Sequence, residues 1–213
     1  MTTDALLTLT QWLSPGFPVG AFAYSHGLET AIETGALRGI HDLELWLTDL
    51  ICEGGGQTDA AFLSAAYVAE PDAIHLVDAT ARAFAASAER LLETDQQGAA
   101  FCRTVEAVWG TQLGTLTYPV AVGHAASKSN IPLALAASMY LHAFAANLIS
   151  AAVRLVPLGQ TEGQALLAKL APLIQITADK AMKMPDTELY SQCFAADIAA
   201  MQHEVQYSKV FRT

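Results

Sequence analysis

Apolar residues recur three and four positions apart along most of this chain, and sustained apolar–polar alternation is absent. That spacing predicts helices, because 3.6 residues complete a turn and bring such positions onto one face. The first helix is predicted over Asp4 to Leu13 and stops at Ser14-Pro15-Gly16. A loop rich in Gly and Pro continues to Ser25. Leu28 to Thr34 is the next helix and closes on Gly35, a residue suited to the left-handed conformation past a helix end. Asp42 to Glu53 places Leu43, Trp46, Leu47 and Leu50 on one face and ends at Gly54-Gly55-Gly56. Thr58 is expected to cap the following helix, which reaches Glu70 before Pro71.

Asp72 to Leu92 reads as one longer helix, and Gln97-Gly98 is a candidate break before a helix over Ala99 to Trp109. Pro119 begins another that ends near Ser129-Asn130. Pro132 falls in the first turn of an Ala-rich helix, where its missing N–H costs nothing, and Pro157 follows that helix. Gly163 to Met182 is helical, with Pro172 expected to kink or split it. Met184-Pro185-Asp186 is a break, and the last helix runs from Ala195 to Tyr207. The result is about ten helices with no low-complexity linker and no fixed-period repeat. The economical reading is one all-α domain over residues 1–213, with Ser208 to Thr213 as a tail.

One segment raises a membrane question. Ile131 to Val153 holds no Asp, Glu, Lys or Arg and is long enough to span a bilayer. It is rich in weakly apolar Ala, carries Ser138, Tyr140, His142, Asn147 and Ser150, and lacks basic flanking clusters. A helix apolar all round also suits the centre of a bundle, so a buried helix and no membrane are expected. Hydrophobic residues make up 53% of the chain and charged residues 15%, which excludes a disordered chain. That excess of apolar residues predicts surface that a partner covers, and a homodimer through an Ala-rich helical face. The net charge of −10 repels phosphate backbones, so no nucleic-acid partner is expected. Basic or metal-carrying proteins fit better. Cys52, Cys102 and Cys193 are scattered and odd in number, the usage of a reducing, cytoplasmic compartment without disulfides. No basic n-region of a signal peptide is present.

Candidate chemistry is thin. Gly54-Gly55-Gly56 follows a helix and precedes no Lys, so it does not form a phosphate cradle. In Gly123-His124-Ala125-Ala126-Ser127-Lys128-Ser129 the residue before the Lys is Ser, not Gly. The six histidines include no pair three or four apart, so no helix face offers two imidazoles. His203-Glu204 opens like a zinc-protease motif, but Tyr207 stands where the second His belongs. His203 and Glu204 remain candidates for a transient metal site shared with a partner. No nucleophile constellation appears, and neither an enzyme nor a cofactor is expected.

Two edges stand out. Phe17 to Tyr24 is an apolar loop, either folded over the core or exposed for binding. The tail carries Tyr207, Lys209, Phe211 and Arg212, aromatic and cationic residues that suit an interface. It follows a predicted helix end, so few local contacts are expected to hold it, and it is expected to order only on a partner.

These edges carry a resemblance. Ser14-Pro15-Gly16-Phe17-Pro18-Val19-Gly20-Ala21-Phe22, followed by Tyr24-Ser25-His26-Gly27-Leu28-Glu29, closely resembles the N-terminal signature of the UreF urease accessory proteins. Ala152-Val153-Arg154-Leu155-Val156-Pro157-Leu158-Gly159-Gln160-Thr161 resembles a second family segment. Met201-Gln202-His203-Glu204 and Gln206-Tyr207-Ser208-Lys209-Val210-Phe211-Arg212 resemble its C-terminal ending, with Lys209-Val210 in place of Arg-Leu and Gln202 where Arg is common. The resemblance covers nearly the whole chain, in order. It implies an all-α homodimer that does no bond chemistry and binds no nucleotide. It also implies a complex with a UreD/UreH-type accessory protein and the UreG GTPase, which together supply nickel to apo-urease. Pro18, Phe22, Tyr24, Ser25, Glu29, Tyr207, Lys209, Phe211 and Arg212 are the expected partner-binding residues. The competing readings are a helical ligand-binding or regulatory domain and an unrecognised hydrolase.

Overall fold

Ten α-helices and one 3-10 turn carry the fold in the computed structural model, which describes residues 3–184 and 188–212, with no strand among them. The helices are α1 (Thr3–Trp12), α2 (Leu28–Glu33), α3 (Ile40–Cys52), α4 (Gly55–Val68) and α5 (Ile74–Ala83). They continue with α6 (Ala88–Trp109), α7 (Tyr118–Lys128), α8 (Leu133–Leu155), α9 (Gln160–Ala181) and α10 (Phe194–His203). The all-α expectation holds, and most helices begin and end within a few residues of the places read from the sequence.

Four local expectations are corrected. Asp72 to Leu92 is not one helix: the chain breaks after α5, and Ser87 restarts it by accepting the Arg90 N–H. Gln97-Gly98 does not interrupt α6, which runs unbroken to Trp109. Thr58 does not cap α4; it lies inside the helix and its hydroxyl donates back to the Gly54 carbonyl. Pro172 does not split α9. It sits on the exposed side above Ala168, also exposed, so the carbonyl that loses its N–H partner still reaches water. The predicted break at Pro185-Asp186 lies outside the described residues.

Close backbone approach explains the glycine inside α6. A Cβ on Gly98 would lie 2.0 Å from the Leu116 carbonyl oxygen, so only glycine lets α6 rest on the segment that leads into α7. Gly123 plays the same part where α7 crosses α4, with the Leu63 carbonyl 2.1 Å from an added Cβ. Among the described residues α8 alone is long and apolar enough to cross a membrane. In the fold its Ala136, Ala137, Leu141, Ala145 and Ala152 have no exposed surface, and it packs against α2, α3, α4, α7 and α9. That is the burial expected of a central helix.

Aromatic packing anchors the N-terminal loop. Trp12 meets Phe101 and Trp109 edge to face, with centroids 5.4 and 5.7 Å away. Phe17 enters the same cluster, 5.6 Å from Phe101. Phe17 and Val19 are thus core residues, whereas Pro18 and Phe22 face out. The loop is both a cover for the core and an exposed edge.

Candidate partner-docking site

The two edges singled out in the sequence meet in space. Gly27, in the left-handed conformation at φ 76°, lets α2 press against α10, where an added Cβ would lie 2.9 Å from the Ala196 carbonyl. Glu29, in the first turn of α2, then points at the C-terminal tail. Its Oε1 accepts the Val210 N–H at 2.7 Å and its Oε2 the Phe211 N–H at 2.8 Å. A buried carboxylate is costly unless its lone pairs are filled, and here the tail backbone fills them. Further along, the Arg212 N–H donates to the Ala23 carbonyl at 2.8 Å. The Phe211 ring is 4% exposed. Gln206 accepts from the Thr30 hydroxyl at 2.9 Å.

The expected partner-binding residues divide into two groups. Tyr24, Ser25, Glu29 and Phe211 are buried and build the platform. The Tyr24 hydroxyl donates to Gln96 Oε1 at 3.0 Å, and the Arg212 guanidinium donates to the same oxygen at 3.2 Å. Ser25 Oγ accepts the Glu29 N–H at 3.4 Å. Pro18, Phe22, Tyr207, Lys209 and Arg212 are exposed and form its outer surface. The tail was expected to order only on a partner; it is instead folded against its own chain, because Glu29, Ala23 and the Phe211 pocket supply the contacts that sequence spacing does not reveal.

His203 and Glu204 do not converge. The His203 ring is buried, with Nδ1 2.7 Å from Glu89 Oε2 and Nε2 3.3 Å from Glu29 Oε2. Glu204 is exposed and accepts the Ala88 N–H at 2.8 Å, capping α6. Among the described residues no group of three His, Cys, Asp or Glu side chains is placed to hold a metal.

Two features escaped the sequence reading. Phe194, Ile198, Met201 and Val205 are 69%, 53%, 50% and 86% exposed. Their spacing of four, three and four residues puts them on one face of α10 and its C-terminal extension. Val210 and Tyr207 of the tail are exposed as well. Helical spacing alone does not tell an exposed apolar face from a core face. The second feature is a buried charge cluster. His26 Nε2 lies 3.0 Å from Glu93 Oε1, Glu93 pairs with Arg90, and Asp59 lies 4.0 Å from Arg90 and accepts the Tyr140 hydroxyl at 2.8 Å. Burial pushes the Glu93 carboxyl up, but the Arg90 charge and then His26 outweigh it and hold it at about 2. Asp59 is pushed above its ordinary value by burial. These residues come from the loop, α4, α6 and α8, so no local motif announces them.

Comparison with known proteins decides the family. The profile of the UreF family matches residues 37–171. The urease accessory protein UreF of Roseobacter denitrificans is 59% identical over all 213 residues, which cover 96% of that protein. The chain belongs to the UreF family. The UreF proteins of Ruegeria sp. TM1040 and Ruegeria pomeroyi are 53% and 50% identical, each over the whole of this chain and 100% and 98% of their own. As a member of the UreF family the chain is a urease accessory protein and not an enzyme. That sets aside the hydrolase and the unrelated regulatory domain. The profile spans α3 to α9, whereas the loop and tail lie outside it and are matched by the full-length UreF relatives.

Proposed function

We propose that this chain is a non-catalytic scaffold that docks a UreD/UreH-type accessory protein, and with it recruits the UreG GTPase to deliver nickel to apo-urease. The observation that carries this reading is the exposed apolar stripe Phe194, Ile198, Met201 and Val205 in a member of the UreF family. Four large apolar side chains on one exposed helix face are the chemistry of a protein interface rather than of a small-ligand site. The exposed Tyr207 and Arg212 of the tail add the residue types that dominate interface energetics. The chain works as a cytoplasmic homodimer and carries no cofactor; nickel is cargo of the assembly. Half of the apolar residues of α8 are buried within one chain, and the less buried remainder is available to the dimer face. Gel filtration with a purified UreD-type protein and then UreG tests the reading. A stable assembly of all three supports it, and three separate peaks at micromolar concentration would sink it.

A further inference from the structure

His203 is a polar side chain with no exposed surface, held at the last turn of α10 between two carboxylates. Nδ1 faces Glu89 of α6 and Nε2 faces Glu29 of α2. A neutral imidazole has one N–H and one lone pair, so it would satisfy one carboxylate and turn a lone pair on the other. A ring protonated at both nitrogens donates to both. Lys209 of the tail pairs with Glu89 at 2.8 Å, so the carboxylate that meets the ring is also neutralised from the tail. Both carboxylates also hold the tail. Glu29 binds the Val210 and Phe211 amides, and Glu89 binds the Lys209 side chain. The ring thus fixes the two carboxylates, one from α2 and one from α6, to which the tail is fastened.

We propose that His203, held between Glu29 and Glu89, is a positioning residue that latches the C-terminal tail to the body. This deepens the docking reading and rests on it for its biological use, because the latch sets the shape of the surface offered to a partner. The latch itself is a property of the isolated chain. It is tested by amide hydrogen exchange at Val210 and Phe211 in the full-length protein, with nitrogen chemical shifts of the His203 ring. In the parent both amides exchange slowly. In His203→Gln the two amides exchange about tenfold faster or more, the loss expected for a charge-assisted bond, while amides of α4 and α7 keep their protection. Should that variant fail to fold, Glu89→Gln removes one partner from the rim; it shifts the Nδ1 signal and speeds the same two amides. Tail amides as slow in the folded variants as in the parent overturn the latch. Capture of a UreD-type protein is measured separately on the parent. Failure there counts against the docking reading and leaves the exchange result standing.

Discussion

The Arg154 guanidinium lies over the Phe211 ring, 4.6 Å from its centroid, and donates to the Phe22 carbonyl at 3.0 Å. One side chain from the end of α8 thereby ties the N-terminal loop to the C-terminal tail. Both contacts use the planar guanidinium, its face on the ring and its edge on the carbonyl. Arg154→Ala is expected to cost about 1 kcal/mol, given the exposed position. Arg154→Lys should not restore the loss, because an ammonium has no flat face to stack while it donates sideways. Exchange at the Arg212 amide, bonded to Ala23, reads the effect. Parental protection in both variants would show that the tie is idle.

Removal of Ser208 to Thr213 should destabilise the isolated chain. The deletion takes two N–H donors from the buried Glu29 carboxylate and opens the pocket that Phe211 fills. Burying a Phe contributes about 2 kcal/mol, and an unsatisfied buried acceptor costs about 1–3 kcal/mol. The ordering entropy of the tail offsets part of this. A net loss of about 2 kcal/mol is expected, seen as a lower melting temperature. A truncated protein that melts with the parent would mean that the tail contacts are worth no more than the entropy they cost.

The helices were legible because Gly and Pro punctuate them and the apolar spacing is regular. The errors fell where tertiary contacts override local signals. Gly98 reads as a break from its neighbours in sequence, yet it is required by the Leu116 carbonyl pressed against it. Ser87 reads as one more small residue in an Ala-rich run, yet it restarts the chain as α6. At the site, Glu29 was found through the family resemblance and Phe211 already through the make-up of the tail, but their joint role needs two segments far apart in sequence to meet. Asp59, Arg90 and Glu93 carried no signal, because a charge on a helix face is read as solvated until the neighbouring helices are in place.

That cluster has a pH signature. Glu93 titrates at about 2 in the folded chain against an ordinary 4.5, so its pairing stabilises the fold above 4.5 and is lost as pH falls toward 2. Asp59 runs the other way. Burial raises its folded value above 3.8, so its contribution is full below 3.8 and declines as pH rises through the raised value. Glu93→Gln should therefore cost about 3 kcal/mol at neutral pH, the loss expected when a buried pair is broken. It should also flatten the acid limb of stability. Asp59→Asn should cost little at neutral pH, because the amide oxygen still accepts from Tyr140. Urea unfolding from about pH 3 to about pH 8 compares them. A costlier Asp59→Asn would show that ionised Asp59 and Arg90 form the dominant pair.

The α10 stripe separates docking from folding. Ile198 is 53% exposed and Met201 50%, so neither carries much of the core. Ile198→Asp should leave the melting temperature within about 2 °C of the parent, since surface substitutions stay within about 0.5 kcal/mol. The tail should also stay folded, because its bonds run to Glu29, Glu89 and Ala23 rather than to the stripe. Against a partner the outcome differs. A carboxylate buried in an apolar interface loses its hydration with nothing to pair it, which costs more than the lost Ile contact alone. Capture of the UreD-type protein should weaken at least about a hundredfold, which corresponds to about 2.8 kcal/mol. Leu45 is equally exposed at 54% and belongs to a different helix, α3, so Leu45→Asp is the control for a general effect of added charge. Isothermal titration of the three proteins against one partner gives the comparison. Equal affinity for parent and Ile198→Asp would remove the stripe from the interface. Equal losses in both variants would trace the effect to the net negative charge of the chain, already −10, rather than to a docking face.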